Sequence, residues 1–349
     1  LTYKFMELTT IIIISVVSII FLYLLRQHFK GPRAKPTNME GKIVIITGSS
    51  AGIGKENAFE LLKNGATIIF ACRDEKKTMK VIEKTKEIPQ GQYKTSAFER
   101  SIFMKLELTS FESVKKFAQE LKAKFNKVDI LLNNAGYVTM TYNLTKDNLE
   151  AMIQTNHHSH VLLTYLLLDV FDKTEARVIN VSSIGHSFSN YDTKLKEEFG
   201  VGKDQYKKEI EGSLPSKFVA YGNSKLANIY FSQYLAEKSN FDKRFSNIVS
   251  YSLHPGAVDS EFSRFSDESS IFLRIFMWVA RPLLWFGSKT ENDGAQTQLR
   301  MCYDKKENLK NGGYYKDLVD GPLSKNAQNK EIRDLVMEQT MKDIAQHLE

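Results

Sequence analysis

A glycine-rich segment between an apolar run and an amphipathic run is the feature that most limits how this chain can fold. Thr47-Gly48-Ser49-Ser50-Ala51-Gly52-Ile53-Gly54 follows a β-branched run at residues 43–47 and opens a helical pattern over residues 52–63. Glycines here let the backbone turn sharply and approach a pyrophosphate, whose charge is favoured at a helix N-terminus. A glycine pattern alone is weak evidence, but its place between strand and helix indicates a dinucleotide site.

The rest of the chain alternates short β-branched runs with amphipathic stretches. This alternation predicts a parallel sheet with helices on both faces, a doubly wound α/β domain whose ligand lies at the carboxyl ends of the strands. The predicted strands cover residues 43–47, 67–71, 102–106, 130–133, 177–182 and 247–253. The predicted helices between the first four strands cover residues 52–63, 76–88 and 111–125.

Composition excludes several other classes of protein. Charged residues make up 26% and hydrophobic residues 42% of the chain, which is typical of a globular protein. The net charge of +7 is spread along the chain without a nucleic-acid-binding motif, so we expect no nucleic acid partner. The two cysteines, Cys72 and Cys302, cannot supply a disulfide framework, and their spacing does not suggest a zinc site.

The N-terminal segment predicts a membrane anchor. Residues 8–25 carry no charge and are dominated by Ile, Val and Leu. As a helix they would span roughly 27 Å, close to the ~30 Å hydrocarbon core of a bilayer. A cleaved signal peptide or a buried helix would be alternatives, but Arg26, Lys30 and Arg33 follow where a cleavage site would lie. The basic excess on this side predicts a single-pass protein whose domain faces the cytoplasm.

Tyr221-Gly222-Asn223-Ser224-Lys225 carries the candidate chemistry. Tyr221 and Lys225 are four residues apart, so on a helix they share one face. A free tyrosine titrates near ~10, and a neighbouring ammonium stabilises its phenolate and lowers the pKa toward the range of a useful acid/base. The spacing alone occurs by chance in many helices. Its continuation into Leu226-Ala227-Asn228, with Asn180-Val181-Ser182-Ser183 ending a strand upstream, makes it specific.

These segments together resemble the short-chain dehydrogenase/reductase family, a Rossmann fold, over roughly residues 41–315. The resemblance rests on the TGxxxGxG spacing, on Asn133-Asn134-Ala135-Gly136 and on the Tyr221 and Lys225 pair. It implies hydride transfer between a nicotinamide cofactor and an alcohol or carbonyl carbon, with Tyr221 as acid/base. It implies that Ser183 binds the substrate oxygen, with Ser182 as the alternative. Lys225 would also hold the nicotinamide ribose, and Asn156 would support a water-linked proton path.

The resemblance also implies a set of cofactor contacts. The position of the family's NAD-selecting aspartate is Cys72, and Arg73 follows it, which favours the 2′-phosphate of NADP(H). Alternatively, Arg73 is a solvated residue neutralised by Asp74. Glu107 stands where the family has an aspartate near the adenine. The expected cofactor-binding residues are Gly48, Ser50, Gly52, Ile53, Gly54, Arg73, Glu107, Asn134, Ala135, Gly136, Tyr221, Lys225, Pro255, Gly256 and Ser260.

Within this family, several segments resemble the branch of retinol dehydrogenases and the related oxidoreductase domain of WW-domain oxidoreductases. The shared segments are Cys72-Arg73-Asp74, Asn156-His157, Ser224 to Asn228 and Leu253-His254-Pro255-Gly256. An insertion of 37 residues, 184–220, separates Ser183 from Tyr221 and puts retinoid specificity in doubt. The aromatic run at residues 271–286 lies where the family has its substrate lid, and it is either a membrane-surface helix or a core-covering one.

Three functions stay open from the sequence. The first is an NADP(H)-dependent oxidoreductase acting on a small lipophilic substrate such as a retinoid or steroid. The second is a keto-lipid reductase of lipid biosynthesis, and the third is a catalytically quiet NADP(H)-binding scaffold. We expect an anchor at residues 1–30, with the transmembrane helix at about 8–25, a linker at 31–39 and the enzyme domain at 40–349. The expected location is the endoplasmic reticulum membrane, and a homodimer is left open.

Three clustered histidines, His157, His158 and His160, suggest a metal site only superficially. They lack partner carboxylates at a clear spacing in the sequence. We therefore expect no metal.

Overall fold

A computed structural model describes residues 13–21, 23–24, 26–27, 30–139, 141–191, 211, 214–258 and 288–348. Most of the insertion, the aromatic run at 271–286 and the predicted cofactor contact Ser260 lie outside these ranges. Part of the predicted anchor does so too. Described residues from Ile13 to Leu24 are helical and expose their apolar side chains. Among the residues that can be described, none forms a helix both long and apolar enough to cross a bilayer.

One eight-stranded sheet organises the domain in the order β3-β2-β1-β4-β5-β6-β7-β8. All neighbours are parallel except β7 and β8, which pair antiparallel. This is the predicted doubly wound α/β architecture, with an added antiparallel edge. The strands are β1 (Ile43–Thr47), β2 (Thr67–Cys72), β3 (Ser101–Lys105), β4 (Ile130–Asn133), β5 (Ala176–Val181), β6 (Ile248–His254), β7 (Tyr314–Lys316) and β8 (Val319–Asp320).

Helices cover both faces of the sheet. The α-helices are α1 (Gly52–Lys63), α2 (Glu75–Lys84), α3 (Phe111–Lys124), α4 (Ser159–Leu166), α5 (Leu214–Phe241), α6 (Glu291–Tyr303) and α7 (Lys330–Ile344). A helical turn, Ala151–Ile153, and a π-helical turn, Gln154–His158, precede α4. Short 3₁₀ turns lie at Thr85–Glu87, Ile184–Phe188, Lys243–Phe245, Lys306–Asn308, Asn326–Gln328 and Ala345–His347.

Successive side chains of a strand point to opposite faces of the sheet, and both faces of this sheet pack against helices. In β1, Val44 and Ile46 join a core with α1 and α6, whereas Ile45 joins the opposite core with α3 and α4. All three side chains are fully buried. A strand buried on both faces is a continuous apolar run rather than an alternating one.

The predicted elements 43–47, 52–63 and 130–133 have the observed bounds, and the boundaries of the other predicted elements shift by one to four residues. The predicted helix 76–88 ends as an α-helix at Lys84, and its last turn is the 3₁₀ turn Thr85–Glu87. Asp74 begins that helix by accepting a hydrogen bond from Lys77 N. The predicted strand 102–106 begins and ends one residue earlier.

The segment after the apolar helix lies along α6. Arg33 pairs with Asp293 at 2.7 Å, Ala34 N donates to Gln296 Oε1 at 3.0 Å, and Thr37 Oγ1 donates to Tyr303 O at 3.4 Å. Its backbone is irregular throughout residues 31–39. These contacts attach the predicted linker to the enzyme domain over several turns of one helix.

Candidate active site

The glycine segment between β1 and α1 has backbone conformations that side chains disfavour. Gly48 has a φ of 69° and Gly52 a φ of 59°. A Cβ on Gly54 would lie 2.5 Å from Asn134 Nδ2 and 2.7 Å from Gly48 O. The loop therefore packs tightly on the end of β4, and only glycine fits at position 54.

The N-terminus of α1 is open to an anion. Its N-cap residue, Ala51, makes no side-chain cap, and its first turn contains no acidic residue. The backbone N–H groups of the first turn have no partner within the helix and, with the helix dipole, favour a phosphate. Ser50 is half-buried beside this turn, while Ile53 is buried and contacts the Gly294 position of α6. The residues present fit the pyrophosphate of a dinucleotide.

Thr47 joins the ends of β1 and β4. Its hydroxyl accepts hydrogen bonds from Asn134 N at 3.0 Å and Ala135 N at 2.9 Å, and Asn134 Nδ2 donates to Thr47 O at 2.9 Å. A Cβ on Gly48 would lie 3.0 Å from Ala135. The Asn134-Ala135-Gly136 segment thus packs against the glycine loop, and its expected contact with the cofactor stays a prediction.

The end of β2 lacks a carboxylate that could hold a ribose hydroxyl. Cys72 is buried, with its Sγ 3.5 Å from Ser49 Oγ. Arg73 is exposed, and the carboxylate of Asp74 accepts from Lys77 N at 2.9 Å to cap α2. Asp74 is therefore engaged in capping, and the Arg73 guanidinium faces solvent at the edge where the adenosine ribose would lie.

Glu107 follows β3 and is half-buried. Its Oε1 accepts from Thr109 Oγ1 at 2.9 Å and Thr109 N at 3.2 Å, while its own N donates to Ser113 Oγ at 3.0 Å. The carboxylate is held in a local turn that leads into α3. Its expected contact with the adenine stays a prediction.

Pro255 and Gly256 follow β6 at the same edge of the sheet. Gly256 has a φ of 90°, and its N donates to His254 Nδ1 at 3.0 Å. The Lys289 side chain lies against Gly256 and forms an ion pair with Asp317. The expected contacts of Pro255 and Gly256 with the cofactor stay predictions, and Ser260 lies outside the described residues.

The structure gives Ser182 and Ser183 different surroundings. Ser182 is buried, and its hydroxyl donates to Lys225 O at 2.7 Å. Ser183 is half-buried, and its Oγ accepts from Gly185 N at 3.1 Å, which leaves the hydroxyl proton to be donated. A Cβ on Gly185 would lie 3.4 Å from Ser183 Oγ and 3.1 Å from Tyr221 Cε1. Ser183, not Ser182, therefore borders the same space as Tyr221.

Tyr221 and Lys225 lie one turn apart on α5. Lys225 Nζ is 5.6 Å from the centroid of the Tyr221 ring and donates to Val181 O at 3.2 Å. Lys225 is buried, whereas Tyr221 is half-buried. Between them, Gly222 allows α5 to approach the Ser183 turn, because a Cβ there would lie 2.5 Å from Gly185 O.

Asn156 lies in the π-helical turn and is fully buried. Its amide bonds both backbone groups of Tyr137, at 3.0 Å each, and donates to Ser224 Oγ at 3.0 Å. A Cβ on Gly136 would lie 2.9 Å from Lys225 Nζ and 3.1 Å from Asn156 Oδ1. The four predicted catalytic side chains thus lie in one region, where Asn156 and Lys225 meet at Gly136 and Ser183 and Tyr221 meet at Gly185.

The three clustered histidines each have protein partners. His157 contacts Asn228 and Thr340, His158 bonds Asp343 at 2.9 Å, and His160 bonds Thr47 Oγ1 at 3.0 Å. Burial lowers the pKa of His160 to about 4 and holds that of His157 well below its usual value. Among the described residues, no cluster of three metal-ligating side chains forms.

A polar aromatic cluster under the Ser183 turn was not predicted. His186 Nδ1 lies 2.8 Å from Ser183 O, and the Tyr314 hydroxyl lies 3.4 Å from the same nitrogen. His254 stacks on Tyr314. Burial lowers the pKa of His254 to about 4 and lowers that of His186, so both rings are neutral at pH 7. In the sequence, this cluster is marked only by a histidine three residues after Ser183. Its partner Tyr314 lies in β7, a strand that the sequence did not predict.

These features define a nucleotide-dependent oxidoreductase, and sequence comparison supports the same class. Residues 42–192 match the model of the short chain dehydrogenase family. The chain belongs to this family and is an oxidoreductase related to retinol dehydrogenases. It is 33% identical to retinol dehydrogenase 12 of Mus musculus over 93% of this chain and 94% of that protein. It is 32% identical to human retinol dehydrogenase 11, covering 84% and 83%.

Structural comparison supports the fold. A solved structure of a protein from Mycobacterium paratuberculosis matches with a TM-score of 0.65 at 22% identity, covering 90% of this chain and 98% of that one. At this identity the likeness establishes the doubly wound architecture alone. Members of the family use NAD(H) or NADP(H), and the conformation of the glycine loop fits the pyrophosphate that both cofactors contain.

Proposed function

We propose that this chain is an NADP(H)-dependent oxidoreductase that interconverts a lipophilic alcohol and its aldehyde or ketone. The observation that carries the proposal is the convergence of Ser183 and Tyr221 on Gly185, one helical turn from the Lys225 ammonium. A hydrogen-bond donor and a proton donor on one side of a small space suit a substrate oxygen that gains or loses charge. The neighbouring glycine loop suits the cofactor.

NADP(H) is the proposed form of the cofactor because of the end of β2. The Arg73 guanidinium is exposed there, a buried thiol replaces a carboxylate at Cys72, and Asp74 is held by its cap. A guanidinium binds a phosphate with paired, charge-assisted hydrogen bonds. Gly48, Ser50, Gly52, Ile53 and Gly54 would hold the pyrophosphate region. Asn134, Ala135, Gly136, Pro255, Gly256 and Lys225 would lie along the nicotinamide half.

The proposed mechanism assigns one role to each catalytic side chain. When bound, the nicotinamide supplies a hydride in reduction and accepts one in oxidation. In reduction, Tyr221 gives its phenolic proton to the carbonyl oxygen as that oxygen gains negative charge. The Ser183 hydroxyl donates a hydrogen bond to the same oxygen. In oxidation, the Tyr221 phenolate removes the proton from the alcohol.

Lys225 and Asn156 support the proton transfer. The Lys225 ammonium, held by Val181 O, stabilises the Tyr221 phenolate electrostatically. Asn156 keeps the Tyr137 backbone in place and presents its Oδ1 toward the space over Gly136 that Lys225 Nζ also borders. A water molecule there would link Lys225 to solvent and restore the proton that Tyr221 loses.

Support for a lipophilic substrate comes from two sources. The related proteins are named for retinol, an apolar alcohol. The described residues of the N-terminal helix expose large apolar side chains, among them Ile13, Ile19 and Leu24. A keto-lipid reductase would share this chemistry, and a quiet cofactor-binding scaffold would share only the glycine loop.

The decisive experiment is a comparison of NADPH and NADH oxidation by the detergent-purified full chain. The substrates are retinals, ketosteroids and long-chain aliphatic aldehydes. We expect turnover with NADPH and at least one apolar carbonyl, and much less with NADH. Preference for NADH would overturn the cofactor assignment. Turnover of ketosteroids or keto-lipids alone would replace the retinoid-like substrate class, and binding without any turnover would favour the scaffold.

We also propose that the apolar N-terminal helix anchors the chain as a single-pass protein of the endoplasmic reticulum, with the enzyme domain facing the cytoplasm. The basic residues Arg26, Lys30 and Arg33 follow the apolar run, as expected of a cytoplasmic flank. Asn143, in the sequon Asn143-Leu144-Thr145, is exposed and gives a direct test. The chain expressed in microsomes should lack a glycan at Asn143, and a glycan there would reverse the orientation.

A further inference from the structure

A line of hydrogen-bonding groups connects the last helix to Lys225. Thr340 Oγ1 of α7 lies 3.0 Å from His157 Nε2, and His157 Nδ1 lies 3.3 Å from Asn228 Oδ1. Asn228 Nδ2 donates to Val181 O at 3.1 Å, and Lys225 Nζ donates to the same oxygen at 3.2 Å. His157 and Thr340 are fully buried, and Asn228 is nearly so.

The partners of His157 place a proton on its Nδ1. Asn228 directs its amide nitrogen at the Val181 carbonyl, so its oxygen faces His157 and can only accept from Nδ1. Burial lowers the pKa of His157 and so favours the neutral ring, in which Nε2 accepts from the Thr340 hydroxyl. This hydroxyl has a single proton, and Val336 O at 2.8 Å is its competing acceptor.

The neighbouring ionisable groups are engaged elsewhere. His158, whose ring is perpendicular to that of His157 at 5.4 Å, bonds Asp343. His160 bonds Thr47 and the carbonyl of Asn156. The Phe231 ring of α5 is also perpendicular to the His157 ring, with 6.2 Å between the ring centroids. The contacts of His157 are thus directed to α5 on one side and α7 on the other.

We propose that His157 and Thr340 are positioning residues that hold the Lys225 ammonium against Tyr221. The Val181 carbonyl is the shared acceptor through which Asn228 and Lys225 are fixed relative to each other. Without the Thr340 hydroxyl, the His157 ring is no longer held in one orientation, and its hydrogen bond to Asn228 is lost. Asn228 is then less firmly held at the Val181 carbonyl that it shares with Lys225. The Lys225 ammonium can therefore move away from the Tyr221 hydroxyl. This inference rests on the proposed function, because it gives Lys225 the role of stabilising the Tyr221 phenolate.

The test compares Thr340→Val, which keeps the shape and removes the hydroxyl, with Thr340→Ser, which keeps the hydroxyl. Val336→Ala is the matched control, since it loosens the buried face of α7 without touching the line. The readout is tyrosinate absorbance against pH in the full chain without substrate. Subtracting the same protein carrying Tyr221→Phe isolates the ionisation of Tyr221.

We expect the midpoint of Tyr221 ionisation to rise by about half a pH unit in Thr340→Val and to stay at the wild-type value in the other two. With NADPH and retinal, kcat should fall about threefold to tenfold while the KM for NADPH is unchanged. An unchanged midpoint in Thr340→Val, or an equal shift in Val336→Ala, would overturn the proposal. His157→Gln, measured in the same way, carries the same expectation if Thr340→Val does not fold.

A double-mutant cycle tests the route. In an Asn228→Ala background, Thr340→Val should cause no further shift, because the line is already interrupted; additive shifts would contradict it. The titration needs neither substrate nor turnover. Failure to find a substrate would therefore count against the proposed function and leave this comparison decisive for the positioning role.

Discussion

The Nζ atom of Lys225 lies 5.6 Å from the centroid of the Tyr221 ring, one turn away on the same helix. The ammonium is held there by the carbonyl of Val181, the last residue of β5. The adjacent Ser182 hydroxyl bonds the backbone of Lys225 from the same strand end. Lys225 is thus positioned relative to Tyr221 by the end of β5 as well as by the spacing of the two residues on α5.

Arg73 should control the choice between the two cofactors. Arg73→Ala removes the proposed partner of the 2′-phosphate, so we expect the KM for NADPH to rise about 10- to 100-fold, the range of a lost charge-assisted hydrogen bond. The KM for NADH should change little. Lys84→Ala, at the far exposed end of α2, is the control for lost positive charge. Steady-state kinetics with both cofactors make the measurement, and an equal effect of the two substitutions would argue against a direct phosphate contact.

The two serines at the end of β5 should separate function from stability. Ser183→Ala should reduce kcat about 100- to 1,000-fold, as expected for one donor to a charged oxygen in the transition state. Loss of the bond from Gly185 N to its hydroxyl should lower the free energy of unfolding by only about 0.5–1 kcal/mol. Ser182→Ala should instead lower the free energy of unfolding by about 1–2 kcal/mol through the lost bond to Lys225 O. Turnover and urea unfolding of both variants give the answer. The reverse pattern would make Ser182 the substrate-binding residue.

Two glycines should respond differently to an added methyl group. Gly54→Ala places a Cβ 2.7 Å from a backbone oxygen, so the loop must move and cofactor affinity should fall at least about tenfold. Gly136→Ala places it 2.9 Å from Lys225 Nζ, the end of a flexible side chain, so kcat should fall more than cofactor affinity. Fluorescence titration with NADPH and turnover distinguish the two. An equal loss of NADPH affinity in the two variants would show that Gly136 contacts the cofactor and does not position Lys225.

Glu150 should make stability depend on pH. Its carboxyl is buried, accepts from Met152 N and Ile153 N at 2.9 Å each, and has its pKa raised by burial from 4.5 to about 7. The folded chain therefore binds more protons than the unfolded chain between about pH 4.5 and 7, and stability falls as the pH rises through this window.

The variant Glu150→Gln isolates this effect. Its unfolding free energy should lack a decrease of about 2–3 kcal/mol that the wild type shows between pH 4.5 and 8. Loss of one of the two backbone bonds lowers its stability at every pH by a smaller amount. Glu338→Gln, an exposed carboxyl of α7, should keep the wild-type dependence. Urea unfolding across this range makes the comparison, and parallel curves for wild type and Glu150→Gln would refute it.

Local sequence patterns were enough to predict the strands and helices in the first half of the domain. The runs at β1, β2 and β4 are buried on both faces, so they read as continuous apolar segments, and the glycine loop marks the junction with α1. β7 and β8 were not predicted because they have three and two residues, too few for a period to appear. They are joined by Asp317 and Leu318, both at positive φ, where a glycine would have been the usual signal.

Motif spacing located the candidate catalytic residues but not what holds them. The order Asn156, Ser183, Tyr221 and Lys225 is visible in the sequence, whereas their convergence at Gly136 and Gly185 needs three elements far apart in the chain. The partners of His157 show the same limit, since Thr340 lies 183 positions away. A histidine in an apolar helix has no sequence signal that tells which distant hydroxyl it will meet.

The most direct test of the whole account is the turnover of Tyr221→Phe beside that of the wild type. The measurement uses NADPH and the apolar aldehyde that the wild type reduces fastest, with the Kd for NADPH determined on the same samples. We expect kcat to fall about 100- to 10,000-fold, as it does when a general acid is removed, with the Kd within about twofold of the wild type. Substantial turnover by Tyr221→Phe, or a wild-type protein that binds NADPH and reduces none of the aldehydes, would contradict the account.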